Sequence, residues 1–153
     1  MSESSLTTAL QTELRTLTSV FSSADVVIND WSILDGPSEN SPYILIENSD
    51  QFDTNNLQTD GTILWRIPFW IINRFIDWKT SLPSFQSYRD SVLTHLSHPG
   101  DFLDSSAGLA WGVRGFQNDG DVVGIYDRYT QNDSEALPVF HAQRIILLVE
   151  ERV

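Results

Sequence analysis

Few side chains in this sequence are of types that do chemistry, and their spacing limits what they can do. His95 and His98 stand three residues apart in a helical pattern, which puts both imidazoles near one face, as a two-histidine metal pair would need. The residues between them are Leu96 and Ser97, so the H-E-x-x-H frame of zinc hydrolases is absent. At a helix C-terminus imidazoles complement the dipole without any metal. His141 lies in an apolar strand pattern and is expected to be a hydrogen-bonded structural histidine. Asn118-Asp119-Gly120-Asp121 lacks the alternating oxygen ligands and the closing Glu of a calcium loop, and reads as a hairpin turn. Serines are abundant, but there is no G-x-S-x-G elbow, phosphate loop or dinucleotide fingerprint. The chain has no cysteine, which removes disulfides, thiolate ligands and thiol nucleophiles. Carboxylates are numerous but sit mostly in polar loops, where nothing marks one as a raised-pKa acid. The expectation is a protein that is not an enzyme and has no catalytic, cofactor or metal site.

The five tryptophans carry more information. Trp65, Trp70 and Trp78 cluster around one apolar run, with Trp31 and Trp111 elsewhere. Exposed aromatics on a sheet stack on sugars, so a carbohydrate-binding module is one reading. Trp65 and Trp70 have opposite strand parity, so at most one of them points to solvent on either face. Core packing or a subunit interface is the favoured use of these rings.

The elements that would position these residues follow from periodicity. Leu6, Leu10, Leu14, Leu17 and Phe21 predict an amphipathic helix from Ser4 to Phe21. Val26 to Ile28 suggests a short strand. Residues 33–42 are turn-like around Asp35-Gly36-Pro37-Ser38, and Tyr43 to Glu47 reads as a buried strand entered at Pro42. Asn48 to Gly61 is polar and predicts a loop. Thr62 to Ile76 is apolar on both alternations, a strand covered on both sides, with an edge or bulge expected at Pro68. Ser81 to His98 predicts the second helix, with Pro83 early, Phe85, Tyr88, Val92 and Leu96 inward, and a stop at His98-Pro99-Gly100. After a loop over 101–108, Leu109 to Phe116 and Val122 to Tyr129 predict a hairpin. Gln131 to Pro138 reads as a turn, and Val139 to Val149 closes the chain as a strand. The expected order is α-β-β-β-α-β-β-β. Residues 1–153 form one domain of α+β class, with a mixed or antiparallel sheet packed by the N-terminal and central helices.

Composition agrees with a packed domain: 153 residues, 41% hydrophobic and 20% charged. Met1 to Leu10 lacks the basic and apolar regions of a signal peptide, and no apolar run approaches the ~20 residues of a membrane span. The net charge of −12 opposes direct nucleic-acid binding. It is unevenly placed: residues 1–60 hold ten acids against Arg15 alone, and Asp25 to Asp60 contains eight acids and no base. Such a segment presents an acidic surface, or serves general solubility. Lys79 is the only lysine beside eight arginines, and arginine is the cation that protein interfaces favour.

The layout resembles the tail terminator (tail completion) proteins of long-tailed bacteriophages. The resemblance spans nearly the full chain and rests on element order. The helix Leu6 to Phe21 leads into the strand Pro42 to Glu47. The Trp-containing strand Ile63 to Phe75 feeds the helix Phe85 to Leu96 and its His-Pro-Gly stop. Leu109-Ala110-Trp111, a hairpin and an apolar strand ending at Glu150-Glu151-Arg152-Val153 complete it. The resemblance implies a structural virion protein of the tail and neck region, assembled in the host cytoplasm. It implies a ring, usually of six subunits, that caps the tail tube, stops its polymerisation and docks the head-side neck. DNA passes through such a ring without sequence-specific binding, and the family lends no cofactor and no membrane contact. On that reading Asp35, Glu39, Asp50, Asp53 and Asp60 are candidates for an acidic lumen or interface surface. Arg66, Arg74, Arg114 and Arg128 are candidates for the subunit interface. Another neck component, such as a stopper or head-completion protein, is the nearest alternative. A carbohydrate-binding module is the next, and an acidic halophilic enzyme the last.

Overall fold

A computed structural model describes residues 3–17, 25–31, 42–48, 50–53, 62–74, 78–97, 111–125 and 140–152. The fold is α+β. Among the described residues two helices, α1 (Glu3–Leu14) and α2 (Trp78–Leu96), accompany six strands: β1 (Val26–Ile28), β2 (Tyr43–Ile46), β3 (Asp50–Asp53), β4 (Thr62–Arg74), β5 (Trp111–Ile125) and β6 (Phe140–Arg152). The sheet runs β1-β2-β4-β6-β5, with β3 also paired to β4. Only β1 and β2 are parallel; every other pairing is antiparallel, so the sheet is mixed.

The spine is β4 against β6, in unbroken register from Thr62↔Arg152 to Arg74↔Phe140. Both strands are rich in β-branched and aromatic residues, which suit a pleated, covered surface. On one face Trp65, Ile67, Phe69 and Ile71 of β4 join Ile145, Leu147 and Val149 of β6, with Ile44, Ile46 and Val26 extending the layer. Both helices pack here, through Leu6, Leu10 and Leu14 of α1 and Phe85, Val92 and Leu96 of α2. The other face holds a smaller cluster of Tyr43, Leu45, Ile72, Phe140 and Ala142, with Val27 and Trp70 half-buried against it. The expected parity of Trp65 and Trp70 therefore holds: Trp65 is buried on the helix face and Trp70 lies on the opposite one.

Four expectations need correction. The first helix ends at Leu14, not Phe21. The Leu17 N–H donates to the Leu14 carbonyl at 3.1 Å, the tighter turn common at helix ends, and Leu17 still packs on the core. The stretch 48–61 is not all loop, because Asp50–Asp53 pairs with β4. Position 68 is neither at an edge nor at a bulge toward β6. The Glu47 N–H donates to the Pro68 carbonyl at 2.9 Å, and the N and carbonyl of a strand residue point to the same side. The missing N–H of Pro68 thus faces the gap between the end of β2 and the start of β3, and no bond to β6 is lost. Finally, Asn118 to Asp121 does not reverse the chain. β5 runs straight through it as one strand on β6, with register shifts between Val113 and Gly115 and between Asp119 and Val123. The strand order becomes α-β-β-β-β-α-β-β.

Candidate functional site

The face of the sheet that neither described helix covers, the helix-free face among the described residues, carries the arrangement of most interest. One row runs across four strands: Leu45 opposes Trp70, Trp70 opposes Arg144, and Arg144 opposes Asp119. Directly opposed side chains on one face of a sheet lie within contact range. Arg144 donates from Nε to Glu47 Oε2 at 2.6 Å and from Nη1 to Asp119 Oδ2. Its side chain is 28% exposed, against 26% for Glu47 and 47% for Asp119. Burial lowers the pKa of the Arg144 guanidinium; the hydrogen bonds and charges of the two carboxylates outweigh this and raise it above its ordinary value. The group is a permanent cation clamped between two anions, one on each side of β6.

Beside this row lies an aromatic pair. The Trp31 ring stands edge-on to Trp70, centroids 6.5 Å apart at 68°, a favoured aromatic geometry. Trp31 is 48% exposed, the large apolar side chain most open to solvent among the described residues. Asn29 delivers the chain to it. At φ 53° Asn29 adopts the left-handed conformation that asparagine tolerates. Its N–H donates to the Ile46 carbonyl and its Nδ2 to Asn48 Oδ1, at 2.8 and 2.6 Å. Among the described residues the Trp70 Nε1 donor is buried with no hydrogen-bond partner.

The helix side holds a second polar group. Ser81 Oγ lies 2.6 Å from His141 Nε2, and the Phe85 ring packs 6.0 Å from the imidazole. A serine on a histidine is the opening contact of nucleophilic catalysis, but Ser81 is 3% exposed and His141 0%. No substrate reaches them in this conformation. Burial pushes the His141 imidazole below its ordinary value, which favours the neutral ring. The histidine expected to be structural is placed as one. Next to it Arg89 of α2 donates to Gln143 Oε1, and Gln143 Nε2 donates to the Gly120 carbonyl, both at 3.2 Å. The irregular part of β5 is thus tied through β6 to α2.

The charged partner of His95 among the described residues is a carboxylate of the other helix. Its Nε2 lies 2.9 Å from Glu13 Oε1, pairing the ends of α2 and α1; His98 lies outside the described residues. Among the described residues no group of three or more His, Asp or Glu side chains is placed to hold a metal ion. No described helix is long and apolar enough to cross a membrane.

The candidates from sequence are placed as follows. Asp35, Glu39, Asp60 and Arg128 lie outside the described residues. Asp50 and Asp53 are in β3, where Asp50 opposes Arg66 of β4. Arg66 is half-buried on the helix-free face, opposite Leu148. Arg74 ends β4 opposite Phe140, and Arg114 is the extra residue at the first shift of β5. Of the candidates among the described residues, the structure brings Asp50 and Arg66 into register. Arg144, Glu47 and the Trp31–Trp70 contact escaped sequence reasoning. The available signal was a lone arginine at the start of the apolar run Ile145 to Val149.

No protein-family model matches the chain, and no curated protein matches it. Solved structures do match. One, whose name assigns it no activity, aligns over 100% of this chain and 97% of its own, with a TM-score of 0.55 and 16% sequence identity. At that identity the likeness concerns the fold alone.

Proposed function

We propose that the chain is a structural subunit of a bacteriophage tail, a tail terminator that forms a ring on the tail tube, stops its polymerisation and docks the head-side neck. The observation that carries this reading is the asymmetry of the sheet. Both described helices cover one face. The other presents half-buried Leu64, Arg66, Ile146 and Leu148, set against one another on β4 and β6. A mixed apolar and arginine-bearing face of this kind suits contact with neighbouring subunits. Of the element order that carries the resemblance, the N-terminal helix, the strands Tyr43–Ile46 and Thr62–Arg74, the central helix and the closing strand support it, while the single strand β5 stands where a hairpin was expected. In a ring threaded by DNA, the acids between Asp25 and Asp60 would repel phosphates from the lining.

The test is an assembly assay. Purified protein added to polymerising tail-tube protein should shorten the tubes and leave a ring at their ends in electron micrographs. Unchanged tube lengths with bare ends reject the reading.

A further inference from the structure

Trp31 is the large apolar side chain that the described structure leaves in water, at 48% exposure. Its ring neighbour Trp70 lies between the apolar cluster around Leu45 and Ile72 and a charged group. Trp70, on which it stands, is the cross-strand partner of Arg144, and Arg144 is held by Glu47 and Asp119. Two carboxylates share one guanidinium, so the cluster carries one excess negative charge. Each carboxylate has about four lone-pair positions, and Arg144 uses one on Glu47 and one on Asp119. Both remain partly open to solvent.

We propose that the Trp31 patch is a docking surface for a cationic protein segment. An arginine or lysine of the segment lies on the exposed face of the indole, and a second cation bonds the free lone pairs of Glu47 and Asp119. The choice of occupant follows from charge. Indole is the aromatic ring that attracts cations most strongly, and the excess carboxylate charge gathered on Arg144, the cross-strand partner of Trp70, supplies a counter-charge. A second copy of this chain brings a net charge of −12 and is a poor match for the carboxylates here; the ring contacts proposed above fall on Leu64, Arg66, Ile146 and Leu148, further along β4 and β6. Nucleic acid is repelled in the same way. A neutral glycan would stack on Trp31 but would leave the excess charge unanswered. The proposal is independent of the tail reading, since a tube-capping assay does not report on this patch.

The probe is an acetylated, amidated hexapeptide alternating arginine and glycine, titrated into the full chain at low salt and followed by tryptophan fluorescence and calorimetry. The expected result is saturable binding that weakens as salt rises and is absent for the same peptide with citrulline in place of arginine. Trp31→Ala should weaken binding about tenfold, and Trp31→Phe, the safer variant for folding, by about three- to fivefold. Asp119→Asn should weaken it about threefold. Binding by both Trp31 variants equal to that of the parent would mean diffuse attraction to an acidic protein and would overturn the proposal. So would no binding of the arginine peptide, or a saturable response to a neutral xylan hexasaccharide instead.

Discussion

Arg144 and Glu47 lie 97 residues apart in the chain, yet Nε and Oε2 meet at 2.6 Å on the helix-free face of the sheet. The bond spans β4, running from the residue after β2 to the middle of β6. With Asp119 on its other side, Arg144 ties β6 to both of its flanks. Replacing it by Met would keep the stem and leave two carboxylates facing each other. Arg144→Met should cost about 1–2 kcal/mol, since hydrogen bonds to charged groups are worth more than neutral ones but partial exposure screens them. Urea denaturation at low and high salt should show the loss shrinking as salt rises.

His141 gives stability an acid-side slope. Its folded pKa is lowered by burial from 6.5, so below that pH the unfolded chain takes up a proton that the folded chain refuses. Stability falls as pH drops from 6.5 toward the folded value, and is unaffected by this group above 6.5. The expected observation is a drop in urea midpoint on acidification that is smaller in His141→Gln. Parallel pH profiles for the two proteins would refute this origin of the slope.

Two of the four glycines of β5, Gly115 and Gly120, should respond differently to alanine. A methyl group meets no atom within 4 Å at Gly115 or at Gly120, but Gly120 has φ +92°. Gly120→Ala should cost about 1–2 kcal/mol through backbone strain alone. Gly115→Ala should be neutral or slightly stabilising, because glycine is the weaker strand residue. Equal thermal midpoints for both variants would contradict the assignment.

The core prediction concerns Phe69, fully buried at the centre of the helix-face cluster. Phe69→Ala should cost about 3–5 kcal/mol, the transfer and cavity terms together. By contrast Glu13→Ala, which removes the partly exposed pair with His95, should cost under about 1 kcal/mol. Its clearer mark would be faster amide exchange at the end of α1 than in β4.

Elements whose pattern is set locally were legible in the sequence. The both-faces apolar run of β4, the wholly buried β2 and the inward stripe of α2 each follow from residues close together in the chain. Errors arose where a distant partner decided the outcome. The Asp119-Gly120 pair suits a tight turn, but it also suits a positive-φ irregularity inside a strand, and pairing with β6 selected the second. β3 has no periodic signal of its own and exists because β4 continues past the end of β2 and offers a free edge. The candidate site was less legible still. Glu47, Trp31, Trp70, Asp119 and Arg144 come from three strands and from the segments that follow β1 and β2, and their meeting is a property of register.

The two shifts in β5 also bear on which extended chains could pair with the outer strand of the described sheet. Pairing with β6 is regular over Trp111–Val113, Gly115–Asp119 and Val123–Ile125, and offset between them. A straight outer strand is a general adhesive for any extended chain that meets it. An outer strand broken into three short runs works more like a notched key. A chain that zips onto it must carry matching notches, so indiscriminate fibre growth stalls within a few residues while a partner of the right shape can still seat.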